Sequence, residues 1–252
     1  MLTSPTWRAK WRERPRFWVV MGKSRDSDTR PYHHGDLRRA VVTAALEILS
    51  ETQSMDFSLR ELARRAGVSH NAPYKHFAEK SDLLAAVSAA GFELLTKRIA
   101  EQIARIGNPR AQLFVILRTY IRFGVENPAL YRLMFGGYLS GPDSSRPAIE
   151  RAAADKMREQ LQRVIADGAL GQPIAGAARN ARRIAGAIPT CWSLVHGLAL
   201  LMVDGLVGPR ENSDRLCESL VQGIIDGLKA DCPPLPPGTW VGPQRDTAAA
   251  AG

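Results

Sequence analysis

The chain has 252 residues, with 34 Lys and Arg against 25 Asp and Glu, so its formal charge is +9 and its pI is near 9.9; that balance favours an acidic partner. A hydrophobic content of 45% is enough to bury the core of one large or two smaller domains and excludes a chain that stays unfolded throughout. Three widely spaced cysteines, Cys191, Cys217 and Cys232, exclude a disulfide framework and a paired-cysteine metal knuckle.

No apolar run is expected to approach the roughly 18 residues of a membrane span. Phe17 to Met21 is shorter than the roughly 7 to 15 residues of a signal peptide's apolar region. The sequence therefore predicts a cytoplasmic protein with reduced thiols and no membrane partner.

Charge is unevenly placed. Residues 1–30 hold eight Lys and Arg and three acids, residues 31–90 seven of each, and residues 91–252 nineteen against fifteen. At the amino end Arg8, Lys10, Arg12, Arg14 and Arg16 alternate with Trp7, Trp11, Phe17 and Trp18. That pattern suits a nucleic-acid arm, a membrane-surface segment or a flexible basic extension over residues 1–29. Met21 precedes the polar stretch Gly22 to Thr29, which reads like an ordinary chain start and sets residues 1–20 apart.

From Asp36 to about Thr52, Leu37, Val41, Ala44, Ala45, Ile48 and Leu49 recur at three and four, the period of an amphipathic helix. Ser58 stands three residues before Glu61 and opens the run Leu59, Leu62, Ala63, Ala66, so a capping box starts a second helix there. Gly67 ends it, because glycine takes the left-handed conformation after a last turn at least cost. Ser69 can cap a short third helix, His70 to Phe77, with Pro73 early in it. Ser81 is expected to cap a longer helix through Leu83, Val87, Phe92, Leu95 and Ile99 toward Ile106.

Further helices are predicted from Pro109 to Asn127, Pro128 to Phe135 and Pro147 to Asp167. Ala175 to Val207 is helical in period, with a kink or break expected at Pro189, and Ser213 to Leu228 is the last helix. The proline-rich residues 231–252 read as a disordered tail. No strand pattern competes, so the expected fold is all-α.

A capped helix, a turn opening at Gly67 and a short second helix describe a helix-turn-helix, whose second helix can enter the DNA major groove. The string Ser58 to Leu84, SLRELARRAGVSHNAPYKHFAEKSDLL, resembles the DNA-binding domain of tetracycline-repressor (TetR) family regulators. The family's pattern extends back through Tyr32-His33-His34-Gly35-Asp36-Leu37. A weaker likeness lies in Trp192-Ser193-Leu194-Val195-His196-Gly197-Leu198, which resembles the Trp…His-Gly signature of one class of regulatory domain in that family.

The resemblance implies an all-helical homodimer: a basic extension at 1–29, a DNA-binding domain at 30–80, and a ligand-binding and dimerisation domain at 81–230 whose connecting helix spans 81–106. It implies a palindromic DNA operator and a small-molecule effector that releases a repressor. The candidate DNA-binding residues are Ser58, Arg60, Ser69, His70, Asn71, Ala72, Tyr74, Lys75, His76 and Lys80, with Ser58 and Arg60 singled out by their place at the start of the second helix. By that likeness His70, Asn71 and Lys75 face bases, while Tyr74 and Lys80 hold the backbone.

The chemistry of these side chains agrees. Asn pairs bidentately with adenine, Lys with guanine, and a Tyr hydroxyl reaches phosphate. Tyr74 equally suits packing beside Phe77, and His76 suits a solvated or packed histidine. Arg64 and Arg65 read as a solvated face. Residues 31–90 have no net charge, so Glu47, Glu51, Asp56 and Glu61 must face away from DNA.

In the second half Phe114, Leu117, Tyr120, Ile121, Tyr131 and Phe135 stand at helical spacings. Such a stripe is core in the first instance, with some members lining a site between helices. Trp192 and His196, four apart, share a helix face and suit either ligand contact or packing. No nucleophile elbow, P-loop, dinucleotide fingerprint or His/Glu metal pattern is found, so neither catalysis nor a metal or other cofactor is expected. A DNA-associated scaffold without a ligand is the alternative reading.

Overall fold

The structure is a computed structural model that describes residues 34–137, 147–171, 177–207 and 213–227. The basic extension, Tyr32, His33 and the proline-rich tail lie outside the described residues. Among the described residues there are eight α-helices and no strand, so the all-α expectation holds.

The first body comprises α1 (His34–Thr52), α2 (Leu59–Arg65), a single 3-10 turn (Pro73–Lys75) and the start of α3 (Lys80–Ile103). Ser58 caps α2 as its spacing predicted, its hydroxyl accepting from the Glu61 amide at 3.1 Å. At the other end Gly67 stands at φ +70°. Its amide donates to the Arg64 carbonyl and that of Val68 to the Ala63 carbonyl, so the last orphan carbonyls of α2 are satisfied by a complete Schellman motif. Leu62, Ala72 and Phe77 then bury in one core with Leu37, Val41, Ala45 and Leu49 of α1.

Two local expectations change. The expected helix His70 to Phe77 shortens to turns followed by the 3-10 turn. Pro73 has no amide to donate toward Ser69, and the amides of Ala72, Lys75 and His76 each reach back three residues. The cap of α3 is Glu79 rather than Ser81. The Glu79 amide donates to the Asp82 carboxylate at 3.1 Å, and the Ser81 hydroxyl turns back to the Glu79 side chain.

α3 has 24 residues, about 36 Å at 1.5 Å per residue, and runs from the first body into the second. There it packs against α4 (Pro109–Glu126), α5 (Pro128–Phe135) and α6 (Ala148–Val164). Asn108 caps α4 by accepting from the amides of Arg110 and Ala111. Gly91 of α3 lets α5 approach closely, since a Cβ there would lie 2.7 Å from the Met134 sulfur. The Ser88 hydroxyl of α3 donates to Glu150 of α6 at 2.8 Å, and both side chains are fully buried.

α6 runs into a π turn, Ile165–Ala169, where Gly168 takes φ +102°. α7 (Ala177–Val203) and α8 (Ser213–Gly227) close the bundle against α4. α7 passes through Pro189 as one helix, so of the expected kink or break the break is absent; the Thr190 hydroxyl bonds the Gly186 carbonyl at 2.8 Å.

The expectation that no apolar run approaches the length of a membrane span is corrected. Ile184–Val203 is 20 residues long with mean hydropathy 1.6, a span by length and composition. Within it Ala187, Cys191, Val195, Leu198 and Ala199 are buried in the bundle core.

Candidate functional site

Two places carry the chemistry that the sequence singled out. The first is the surface formed by the turn after α2. His70, Asn71, Tyr74 and Lys75 are exposed, Tyr74 at 55%, together with Ser69, Ser58 and Arg60 at the start of α2. The same short segment is anchored from below by Ala72, Pro73 and Phe77. Ala72 is 7% exposed, so its methyl belongs to the core and its side chain does not reach the candidate surface. His76 is half-buried at the edge of that core.

The surrounding charges are arranged rather than scattered. Arg65 stays exposed, as a solvated face requires, and pairs there with Glu51 and, at 3.5 Å, with Glu47, which joins α2 to α1 and occupies two of the acids that had to be turned away from DNA. The Lys80 ammonium donates to the Met55 carbonyl at 3.0 Å and lies 5.1 Å from the centre of the Phe57 ring. It therefore closes the loop between α1 and α2 as well as standing at the start of α3. Arg38 lies over the Phe77 ring at 5.3 Å.

The second place is an aromatic cluster inside the larger body. α4 supplies Tyr120, α5 supplies Tyr131 and Phe135, and α7 supplies Trp192 and His196, the last two one turn apart on one face. The hydroxyls of Tyr131 and Tyr120 lie 2.6 and 3.0 Å from the His196 Nδ1, and Tyr131 donates to Tyr120 at 3.1 Å. With Nδ1 protonated, it donates to the Tyr131 hydroxyl, which in turn donates to Tyr120.

The imidazole lies between two rings. Trp192 stacks on it at 4.8 Å and 9°, and Tyr131 at 5.5 Å and 30°. Phe135 meets it edge-on at 5.0 Å. Burial raises the pKa of Tyr120 and Tyr131 well above the ordinary phenol range, so both stay neutral. The buried Cys191 thiol, one residue before Trp192, is pushed up to about 12 by the same cause. It is correspondingly inert as a nucleophile.

Of the eight ligand candidates, these five come together. Leu117 and Ile121 are fully buried core residues, and Phe114 packs against that core.

Two family models match the chain. Bacterial regulatory proteins of the tetR family match residues 41–87, and the tetracyclin repressor-like C-terminal domain matches residues 113–224, so both bodies are covered. The chain belongs to the TetR family. It is a DNA-binding transcriptional regulator with an amino-terminal helix-turn-helix and a helical regulatory domain.

Among curated proteins it is similar to a nucleoid occlusion factor, SlmA, from Marinomonas sp., 26% identical over 137 residues that span 54% of this chain and 70% of that protein. Among solved structures it is similar to a protein of unknown function from Rhodococcus sp. RHA1, with 26% identity, TM-score 0.59, and coverage of 79% of this chain and 97% of the other. The TetR-family regulator PfmR from Thermus thermophilus shares the fold at 19% identity, TM-score 0.52, with 74% and 97% covered.

For this TetR-family chain, sequence reasoning missed several side chains. Glu150 stands among Arg151, Asp155 and Arg158, the pattern of a solvated face, yet it is fully buried and accepts from the Ser88 hydroxyl of α3. Gln53, at φ +55°, ends α1 where glycine is usual. Its side-chain oxygen accepts from the Ala129 amide, in the first turn of α5, at 3.4 Å. A residue other than glycine in the left-handed region at a helix end leaves no mark in composition or period.

Proposed function

We propose that the protein is a homodimeric repressor of a palindromic operator, released when a small effector binds at the Tyr120, Tyr131, His196 and Trp192 cluster. One observation carries the DNA half: the eight-residue segment His70 to Phe77 presents His70, Asn71, Tyr74 and Lys75 outward on an anchor of buried Ala72, Pro73 and Phe77. Base readout needs that combination of reach and fixed register. Asn71 and Lys75 are assigned to bases, Tyr74 and Lys80 to phosphates.

The path between the halves favours the same reading. Tyr131 of α5 belongs to the cluster, while Ala129 in the same helix contacts Gln53 beyond the end of α1. Met134 and Leu130 of α5 abut Gly91 of α3. An effector that moves Tyr131 acts on a short helix packed on both the DNA-binding body, at Gln53, and the helix that connects to it, at Gly91. Such an effector shifts the population only through its differential affinity for the two forms.

Leu194 and Leu201 of α7 and Leu220 of α8 are large apolar side chains exposed at 40 to 48% in the single chain. They suit a homodimer face. As a DNA-bound regulator, the protein would act in the cytoplasm.

The test is selection of bound sites from random duplex DNA by the purified full chain, with stoichiometry read on the winning site. An inverted repeat bound by a dimer is the expected outcome. No enrichment, or one copy bound without repeat symmetry, refutes the reading.

A further inference from the structure

Resting on the reading of the protein as a dimeric repressor, we propose that Gln53 is a specificity-determining residue. By capping α5 from the end of α1 it holds the DNA-binding body at one angle to the larger body, and so fixes the half-site spacing that the dimer accepts.

The sequence starts both α4 and α5 with Asn-Pro, yet the two starts are built differently. Asn108 caps α4 itself, its side-chain oxygen accepting from the Arg110 and Ala111 amides at 2.9 and 3.1 Å. Asn127 does not cap α5 in that way; its side-chain amide turns back and donates to the Phe123 carbonyl at 3.0 Å. Pro128 has no amide, so the buried Ala129 carries the first orphan N–H of α5. The acceptor that it finds is the Gln53 side-chain oxygen at 3.4 Å, 76 residues earlier in the chain. A residue of α1's end therefore does for α5 what a helix's own cap ordinarily does.

Gln53 is also an unusual choice for its own position. It follows the last turn of α1 at φ +55°, where glycine costs least. The backbone bond that closes this turn, from the Gln53 amide to the Leu49 carbonyl at 3.0 Å, needs no side chain. What glutamine adds is two bonds from an otherwise exposed side chain. Its Nε2 donates to the Ser50 carbonyl at 2.8 Å, which fixes the direction of the oxygen that meets Ala129. Backbone strain at Gln53 is thus matched by a contact that glycine cannot make.

The place of this contact in the fold gives it its effect. α3 joins the two bodies as one continuous helix, and the packing of α1 on α5 is a second attachment beside it. Two residues beyond Gln53 the Met55 carbonyl accepts from the Lys80 ammonium at 3.0 Å, so the same loop is tied to the start of α3. One base pair added between half-sites moves a half-site by about 3.4 Å along the duplex and about 35° around it. A dimer follows that change only by re-angling its DNA-binding bodies, which the Gln53 attachment resists.

The experiment measures binding of the full chain to its selected inverted repeat, to the same repeat with a spacer one base pair longer or shorter, and to a single half-site. Gln53→Gly keeps the left-handed turn and removes the side chain, Gln53→Asn draws the amide back by one methylene, and Gln53→Glu keeps the acceptor. Wild type and Gln53→Glu should prefer the selected spacer about tenfold or more, and Gln53→Gly and Gln53→Asn should lower that ratio at least about threefold with half-site affinity unchanged. A wild type indifferent to the spacer, a preference kept by Gln53→Gly and Gln53→Asn, or a preference lost together with half-site affinity overturns the proposal. So does a Gln53→Glu that behaves like Gln53→Gly.

Exchange of the Ala129 amide, followed by NMR, tests the cap without DNA. It should quicken at least about fivefold in Gln53→Gly and Gln53→Asn, with helix content by circular dichroism unchanged, and an unaltered rate overturns the cap. A wild type that selects an inverted repeat while these results fail refutes the role of Gln53 alone. Failure to select any inverted repeat refutes the repressor reading and the spacing role with it, and Ala129 exchange then still decides the cap.

Discussion

Gly124→Ala is the substitution whose sign the structure determines most sharply. In a helix interior the change ordinarily stabilises by about 1 kcal/mol, because alanine loses less conformational freedom. At this position in α4 the new Cβ would lie 3.0 Å and 3.1 Å from two carbons of the Tyr131 ring, several tenths of an ångström inside ordinary contact. Tyr131 has nowhere to retreat: it is fully buried, its ring centre is 4.8 Å from that of Phe135, and its hydroxyl is 2.6 Å from the His196 Nδ1.

Overpacking of this kind costs about 1 to 3 kcal/mol. After the helix gain is subtracted, a net loss of about 1 kcal/mol remains, or a fall of about 2 to 4 °C in Tm for a domain of this size. Urea unfolding followed by circular dichroism measures it. In a Tyr131→Leu background the same glycine change should recover a stabilisation of about 1 kcal/mol, since the ring that it strikes is gone. A higher urea midpoint for Gly124→Ala in the wild-type background would refute the claim that Tyr131 is immobilised.

Three further outcomes are expected. Tyr131→Phe should lower stability by about 1 to 2 kcal/mol and more than Tyr120→Phe does, because it removes the shortest contact to Nδ1 while leaving the 3.0 Å one; equal urea midpoints would count against the triangle. Stability should hold to about pH 9 and then fall. Cys191 ionises near 9 when unfolded and near 12 when buried, and the two tyrosines are also raised on folding, so the unfolded chain releases protons first. The expected slope is about 1.4 kcal/mol per pH unit for each group, and urea midpoints unchanged between pH 8 and 11 would contradict it. Lys80→Ala should weaken binding to all DNA sequences alike and also lower the unfolding midpoint, since its ammonium holds the Met55 carbonyl; a change in DNA binding with an unaltered midpoint would remove that second role.

Much of the first body was legible because its signals are local. Ser58 with Glu61 and Gly67 with Val68 each fix a helix end within a few residues, and in the second body Pro128 to Phe135 is bounded in the same way by Asn127-Pro128 and Gly136. The same locality misled where two local devices competed. Ser81 is a better intrinsic cap than Glu79, but Asp82 bonds back to the Glu79 amide and starts α3 earlier. Pro73 was read as an acceptable helix opener, yet its missing amide leaves only a 3-10 turn.

The cluster was half legible. Trp192 and His196 were paired by their spacing of four, whereas Tyr120 and Tyr131 lie 76 and 65 residues away in sequence. An aromatic stripe does not say which members meet across helices; hence Leu117, Ile121 and Phe114 looked equivalent to the tyrosines that reach His196. Arg65 and Glu150 were opaque for the opposite reason. Each sits in a charged local pattern whose partner lies on another helix, α1 for Arg65 and α3 for Glu150.

The most direct test of the account compares wild type and Asn71→Ala on the selected operator and on unrelated duplex DNA at one salt concentration. A base-reading asparagine predicts that the specificity ratio falls about tenfold or more, that affinity for unrelated DNA is unchanged, and that preference relaxes at one position of each half-site. A ratio equal to the wild type's, or an equal loss on both DNAs, would contradict the claim that the exposed turn after α2 reads the operator.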